Sequence, residues 1–290
     1  MRRESVAVAV ILLIVACCAG VHLATTYEDY SRTNIQWNGT SVFFSLLEER
    51  GAEEVVDPAA LAGYDDAVLL VIAPEGPPGP ARINAVRDFL SRNTTVIICD
   101  DTGSGNALLE GLDLPLSIGG LNLSSVDTDY DTHTAVRGYP VGNHTATANV
   151  SAVLFNRPAA VTGGETLLQT SLLSWIDENG NGRIDGAEAV GRYPVAVTAL
   201  SGGGEVIVVG DPGIFLNSMN GIGADNTRFI ENILDLRPVV LVDTGWSRTA
   251  TDGPLTLVVR TVKGYPLLQV VCAGLCIGAA AYYFRKRIHR

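Results

Sequence analysis

Lysine is almost missing from this chain. Its 290 residues hold Lys263 and Lys286 and no other. Setting aside Glu4 and the six basic residues at the two ends, the middle carries 30 acidic against 14 basic residues, a balance of −16. Nucleic-acid binding needs a basic footprint, and none is present. Cysteine is nearly as scarce. Cys17, Cys18, Cys272 and Cys276 lie in apolar runs near the ends, which leaves Cys99 alone between them. One thiol cannot bridge, so the middle must be held by its core.

Catalytic signatures are missing too. There is no Gly-x-Ser-x-Gly, no Walker motif and no Gly-x-Gly-x-x-Gly after a strand. Cys99 sits in VIICDD, where neighbouring carboxylates oppose a thiolate. Only His133 and His144 lie between the terminal runs. A Ser-His-Asp set would fall to His133, in the irregular stretch DTDYDTHT. No enzyme is expected; a hydrolase with an unfamiliar carboxylate site is the last reading left open.

Long apolar runs, by contrast, are present. Residues 5–24 and 265–284 contain no Asp, Glu, Lys or Arg, and each has the length of a membrane-crossing helix. Arg2 and Arg3 precede the first; Arg285, Lys286, Arg287 and Arg290 follow the second. Positive flanks stay in the cytoplasm. The expectation is a two-pass membrane protein: 1–4 cytoplasmic, 25–264 extracytoplasmic, 285–290 a cytoplasmic tail. A cleaved signal peptide, or lipidation at Cys17, is the alternative at the N-terminus. Five Asn-x-Ser/Thr sequons, at Asn38, Asn93, Asn122, Asn143 and Asn149, are glycosylation candidates on an exported surface.

Within 25–264, Tyr27–Asn38 reads as a stalk. Thr40 or Ser41 opens a helix closed by Gly51. AEEVVD, DDAVLLVIAP and TTVIICDD read as strands, the last two apolar enough for burial on both faces. ARINAVRDFLSRN and GSGNALLEGLDL read as helices between and after them. VAVTAL–SGGG–EVIVVG has the look of a hairpin, and ADNTRFIENILDL is a helix with Asp225 as candidate cap. Residues 115–165 are less regular. Strand alternating with helix points to an α/β domain with a mostly parallel sheet.

Three segments carry a family resemblance: DDAVLLVIAPEGPPGPARINAVRDFL with VIICDDTGSGNALL, then SLLSWIDENGNGRIDGAEAVGRYPVAV, then EVIVVGDPGIFLNSMNGIGADNTRFIENIL. Together they resemble a membrane-anchored family catalogued as domain of unknown function 4350, over roughly residues 34–236. Gly210-Asp211, Asn217 and Asp225-Asn226 form the most specific part. The resemblance implies a class I glutamine-amidotransferase-like, flavodoxin-like sandwich, here flanked by two transmembrane helices. It also hints at a partner, since genes of such members often neighbour a MoxR-type ATPase. It implies no established activity.

Two stretches could hold a ligand. Asp100-Asp101-Thr102-Gly103-Ser104-Gly105-Asn106 follows an apolar strand and precedes a helix, where α/β sheets bind ligands. Asp100, Asp101, Ser104 and Asn106 are the candidate ligand residues, suited to a cation or a polar neutral group. The alternative is a helix cap and a turn. The second stretch, WIDENGNGRIDGAEAV, has the spacing of a twelve-residue calcium loop. Asp177, Asn179, Asn181, the Arg183 carbonyl, Asp185 and Glu188 would be the ligands, with Gly182 at the sharp turn. The flanks are not helices of an EF-hand, so calcium would be structural; a turn of Asn, Asp and Gly is the alternative.

The function expected from these features is binding or scaffolding in a cell-envelope assembly with a protein partner. A sensor of a small polar ligand or glycan at the Asp100–Asn106 turn is the alternative.

Overall fold

Residues 67–72, AVLLVI, are buried without exception. A strand with no exposed face needs cover on both sides. The computed structural model shows what supplies it. It describes residues 26–127, 132–222 and 224–250, with residues 14, 15, 18, 20, 254–256 and 258. The ends, Met1–Thr26 and Asp252–Arg290, form one unit and Tyr27–Thr251 another. Both sheets and the helices that cover them belong to the second unit.

In chain order the strands are β1 (Glu53–Val55), β2 (Ala67–Ile72), β3 (Thr95–Cys99), β4 (Ser117–Ser125), β5 (Ala135–Pro140), β6 (Val153–Asn156), β7 (Ala159–Thr162), β8 (Glu165–Thr170), β9 (Ser174–Ile176), β10 (Val190–Gly191), β11 (Pro194–Ser201), β12 (Gly204–Val209) and β13 (Val239–Asp243). The helices are α1 (Ser41–Glu49), α2 (Pro80–Leu90), α3 (Asn106–Gly111) and α4 (Asn226–Leu234). Nine strands form one sheet, ordered β1-β13-β2-β3-β12-β11-β8-β5-β6, and four form another, β10-β9-β4-β7.

Side chains alternate across β2 with the strand period. Val68, Leu70 and Ile72 pack in one cluster with Phe43 and Leu47 of α1 and Phe229 and Ile233 of α4. Ala67, Leu69 and Val71 pack in the other with Val86 and Phe89 of α2 and Leu108 and Leu109 of α3. This half of the large sheet is a helix–sheet–helix sandwich.

The other half corrects the expected fold class. From β1 to β12 the four pairings are parallel; from β12 to β6 the four are antiparallel. The sheet is mixed, not the mostly parallel sheet of a flavodoxin-like domain, and a second, wholly antiparallel sheet stands beside it. The physical reason lies in the connections. Parallel neighbours need a crossover of a dozen or more residues, usually a helix. Between α3 and α4 the described residues hold no α-helix, and links such as Gly202–Gly203 turn the chain straight back.

The flanking spans are corrected as well. Among the described residues no helix is long and apolar enough to cross a membrane. The runs 5–24 and 265–284 lie, apart from residues 14, 15, 18 and 20, outside the described residues. The two-pass placement with both termini cytoplasmic needs two such helices, and the described residues supply neither. The stalk expected over Tyr27–Asn38 is also folded in. Asn217 donates from its amide to the Asn34 and Gln36 carbonyls at 3.1 and 2.7 Å, and Ser31 and Asn34 are wholly buried.

Candidate functional site

Of the four candidate ligand residues in the turn after β3, three are used by the fold. Asp100 is buried and accepts from the Thr102 N–H (2.8 Å), the Thr102 hydroxyl (2.7 Å) and the Gly105 N–H (2.7 Å). Ser104 shares a hydrogen bond with Thr102 at 2.8 Å. Asn106 donates to the Ile118 carbonyl and accepts from the Ile118 N–H, at 2.9 and 2.8 Å. It thereby docks α3 on β4. α3 is only six residues long, and the N–H of Gly105 just before it is taken by Asp100.

Asp101 is different. It lines a cleft of about 390 Å³ together with Asp29, Tyr30, Trp37, Asn38, Thr102, Asn156, Arg157, Leu216 and Arg248. The cleft opens beyond the carboxyl ends of β3 and β12, where open α/β sheets place ligands. Burial and the Asp100 carboxylate push the Asp101 carboxyl up to about 6, against the pull of Arg248 and Arg157. Among the described residues no side chain donates a hydrogen bond to it.

Asp211, two residues past the end of β12, lies close enough to Asp101 to feel its charge. It is fully buried, and its oxygens accept from the Asn156 and Gly213 N–H groups, both at 2.5 Å. Burial and Asp101 raise its carboxyl well above the ordinary range despite those bonds. The preceding Gly210 has no room for a side chain, because a Cβ there would lie 2.1 Å from the Ala159 carbonyl. That close approach brings β7 and the end of β6 over β12. Tyr30 is pushed far above its usual value by burial and then by Asp211 and Asp101, which keeps it a neutral phenol. The Arg248 guanidinium stands 5.5 Å over its ring, inside cation–π range.

Two of the lining residues hold left-handed backbones, Tyr30 (φ 62°) and Arg157 (φ 63°). Such conformations cost about 1 kcal/mol or more for a non-glycine residue and gather at functional sites. Sequence reasoning missed every lining residue outside the turn except Asn38, which it took for a sequon. For Arg157 a signal existed, since Asn156-Arg157-Pro158 is turn-like. For Trp37 and Arg248 there was none.

Cys99 lies just below, fully buried. Burial, then Asp211 and Asp100, push its thiol well up, so it stays protonated and unreactive at neutral pH.

The loop Asp177–Glu188 stands apart from the cleft. Asp177 accepts from the Asn181 and Gly182 N–H groups at 3.1 and 2.9 Å, Asn179 from Asn181 at 3.0 Å, and Asn181 from Arg183 at 2.7 Å. Glu188 bridges the Glu178 and Asp185 N–H groups, both at 2.9 Å. Asp185 accepts from the Asn179 and Asn181 amides. The donor set is all oxygen and suits a hard cation. Among the described residues, however, no three His, Cys, Asp or Glu side chains are gathered as a metal cluster. The carboxylates are turned to the loop's own N–H groups.

The sequons separate by exposure. At Asn38, Asn93 and Asn122 the partner hydroxyls, Thr40, Thr95 and Ser124, are wholly buried. At Asn143 and Asn149 both the asparagine and its Thr145 or Ser151 are exposed.

A family model described as "Domain of unknown function (DUF4350)" matches residues 32–234. The chain belongs to the DUF4350 family. No curated protein matches this family member in sequence. Among solved structures, it is similar to an "mmIFT52 N-terminal domain" at 12% identity, with 61% of this chain and 78% of that chain covered and a TM-score of 0.44. "Cytoplasmic Protein STM1381 from Salmonella typhimurium LT2" is similar at 13% identity, with 68% and 86% covered and a TM-score of 0.37. A beta-galactosidase from Bacillus circulans sp. alkalophilus is similar at 11% identity, with 53% of this chain and 21% of that chain covered and a TM-score of 0.34. Likenesses this distant carry no argument about what the DUF4350 chain binds.

Proposed function

We propose that this DUF4350 protein is a binding module without chemistry of its own, and that the Asp101 cleft takes a small, hydroxyl-rich ligand of saccharide type. One observation carries the reading. Two polar side chains lining the cleft, Asn156 and Arg157, make no hydrogen bond or ion pair to the described residues, and Asp101 is met by its own backbone N–H alone, whereas Asp100, Asp211, Asn38 and Thr102 are all engaged. A carboxylate, a carboxamide and a guanidinium together can donate to and accept from neighbouring hydroxyls. Trp37, 67% exposed at the rim, offers an apolar face beside them.

Trp175 and Trp246 are buried, so Trp37 is a built-in reporter. Titrating the full chain with neutral and acidic oligosaccharides should change its fluorescence, and Trp37→Ala or Asn156→Ala should remove the response. No response to any saccharide, by fluorescence and calorimetry alike, would sink the reading.

A second reading concerns the loop. Calcium is proposed as its structural ion. The side-chain oxygens of Asp177, Asn179 and Asn181 already wrap the turn, and Gly180 and Gly182 supply its left-handed positions (φ 70° each). A protein partner is a further proposal. The observation behind it is an apolar groove of about 320 Å³ between α1 and α4, lined by Val42, Phe43, Leu46, Phe215, Met219 and Ile230 among others.

A further inference from the structure

We infer that the cleft selects an acidic saccharide, one bearing a carboxylate, and that Arg157 is the residue that holds that group. The inference rests on the saccharide reading and names the class of ligand within it.

Arg157 is exposed, lines the cleft, and has no carboxylate within ion-pairing distance among the described residues. Several other arginines of this acidic unit are paired. Arg82 binds Asp243, Arg50 binds Asp235 at 2.6 Å, Arg92 meets Asp65 at 3.1 Å, and Arg237 meets Asp66 at 3.3 Å. Arg157 acts on Asp101 through space without a direct ion pair, so its planar donors stay open to a carboxylate on a ligand.

Its backbone is held in place at some cost. Arg157 is left-handed directly before Pro158, a position biased toward extended backbone. Its N–H donates to the Thr134 carbonyl at 2.9 Å, and the next strand begins two residues on. Glycine would meet this conformation more easily. A strained residue with a long charged side chain, at the edge of a cleft, fits a role in binding.

The guanidinium's planar fork matches a carboxylate with two parallel hydrogen bonds. Asn156 beside it can serve a hydroxyl or the same carboxylate. The groups that would oppose an anion are Asp29 and Asp101 in the lining, Asp100 in the same turn as Asp101, and Asp211 beneath. Asp100 and Asp211 are bound to N–H groups. Arg248 and Arg157 oppose them, and Tyr30 stays neutral. Asp101 is the carboxyl that changes state in mild acid, and its protonation removes a negative charge next to the incoming one and adds a donor. Binding of the acidic ligand should therefore strengthen as pH falls through about 6.

The test uses the full chain and three probes of matched length: an oligosaccharide of uronic acids, its neutral counterpart, and a sugar phosphate. Calorimetry at pH 5 and pH 8 should show the uronate binding at least about tenfold more tightly than the neutral sugar at pH 5, and more weakly at pH 8. Arg157→Gln should bring the uronate's affinity down to that of the neutral sugar measured on the same variant. Asp101→Asn should abolish the pH dependence of the uronate's affinity. Equal binding of uronate and neutral sugar would overturn the inference and leave the saccharide reading standing. Preference for the phosphate over the uronate would overturn the carboxylate assignment. Binding of none of the three would overturn both.

Discussion

Asn226, the first residue of α4, holds both the N–H and the C=O of Leu154 in β6, each at 2.8 Å. Asn106, the first residue of α3, makes the same pair of bonds to Ile118 in β4. In both places an asparagine amide stands in for a neighbouring strand and locks a helix start to a sheet. Asn226 is 2% exposed, so its removal strands two buried backbone groups. Asn226→Ala should cost about 2–4 kcal/mol in denaturant unfolding. Asn226→Asp should cost nearly as much, because the donor to the Leu154 carbonyl is lost. A cost below ~0.5 kcal/mol for both would mean that water replaces the amide.

Asp101 predicts a pH signature in stability. Its carboxyl is raised in the folded chain, so the fold binds its proton more tightly than the unfolded chain does. The associated stability is complete below the ordinary carboxylate pKa and is lost as pH rises through about 6. Asp101→Asn removes the charge and should raise the melting temperature at pH 8 by a few degrees, roughly 1 kcal/mol of stability. At pH 4 the two proteins should melt together. An equal gain at both pH values would show that the asparagine acts through packing.

His144 and Glu205 predict a second pH signature. The His144 ring nitrogen lies 2.9 Å from the Glu205 carboxylate, tying the turn after β5 to the start of β12. The hydrogen bond to Glu205 raises His144. Burial alone would raise Glu205, yet bonds from His144 and Thr198 hold it below its ordinary range. Because His144 is raised in the fold, the pair's contribution is present below the ordinary histidine pKa and fades as pH climbs through the raised one. His144→Ala should therefore destabilise at pH 6 and have a smaller effect at pH 9. Both groups are partly exposed, which limits the difference to about 1 kcal/mol or less.

Calcium should register in melting. Extracellular-type loops bind at roughly 10⁻⁴ to 10⁻³ M. At 10 mM calcium a dissociation constant near 1 mM would add about 1.4 kcal/mol. Glu188→Gln should lower that gain, and magnesium should not reproduce it. A melting temperature unmoved by calcium, in a protein whose loop is intact by Trp175 environment, would remove the ion and leave the hydrogen-bonded turn.

The sequence showed the parallel half of the sheet clearly and the antiparallel half poorly. AVLLVI and TVIIC are apolar without a break, and burial on both faces leaves just that mark. The β11–β12 hairpin was visible because three glycines sit at its turn. β8 was not, because its partners are β5 and β11, set by contacts far apart in sequence. Ser31 and Asn34 looked like stalk residues because they are polar. Asn34 is tied down by the distant Asn217 and Ser31 by the Thr40 N–H, a kind of burial without periodicity. The candidate site shows the same limit. Asp101 was in view as the end of a strand, while Tyr30, Trp37, Arg157 and Arg248 reach it from three separate stretches that share no pattern.

The buried hydroxyls of Thr40, Thr95 and Ser124 set an order of events. An enzyme that attaches a glycan must reach the hydroxyl of the sequon as well as its asparagine. At Asn143 and Asn149 it can do so on the finished domain. At Asn38, Asn93 and Asn122 it can act only on chain that has not yet folded. A glycan on Asn38 would then keep the cleft from closing, because the Asn38 amide bonds to Asp29 and to the Tyr27 carbonyl. Wherever such an enzyme meets this chain, modification and folding would compete in time at three of the five sequons, and a domain that folds quickly would stay bare there.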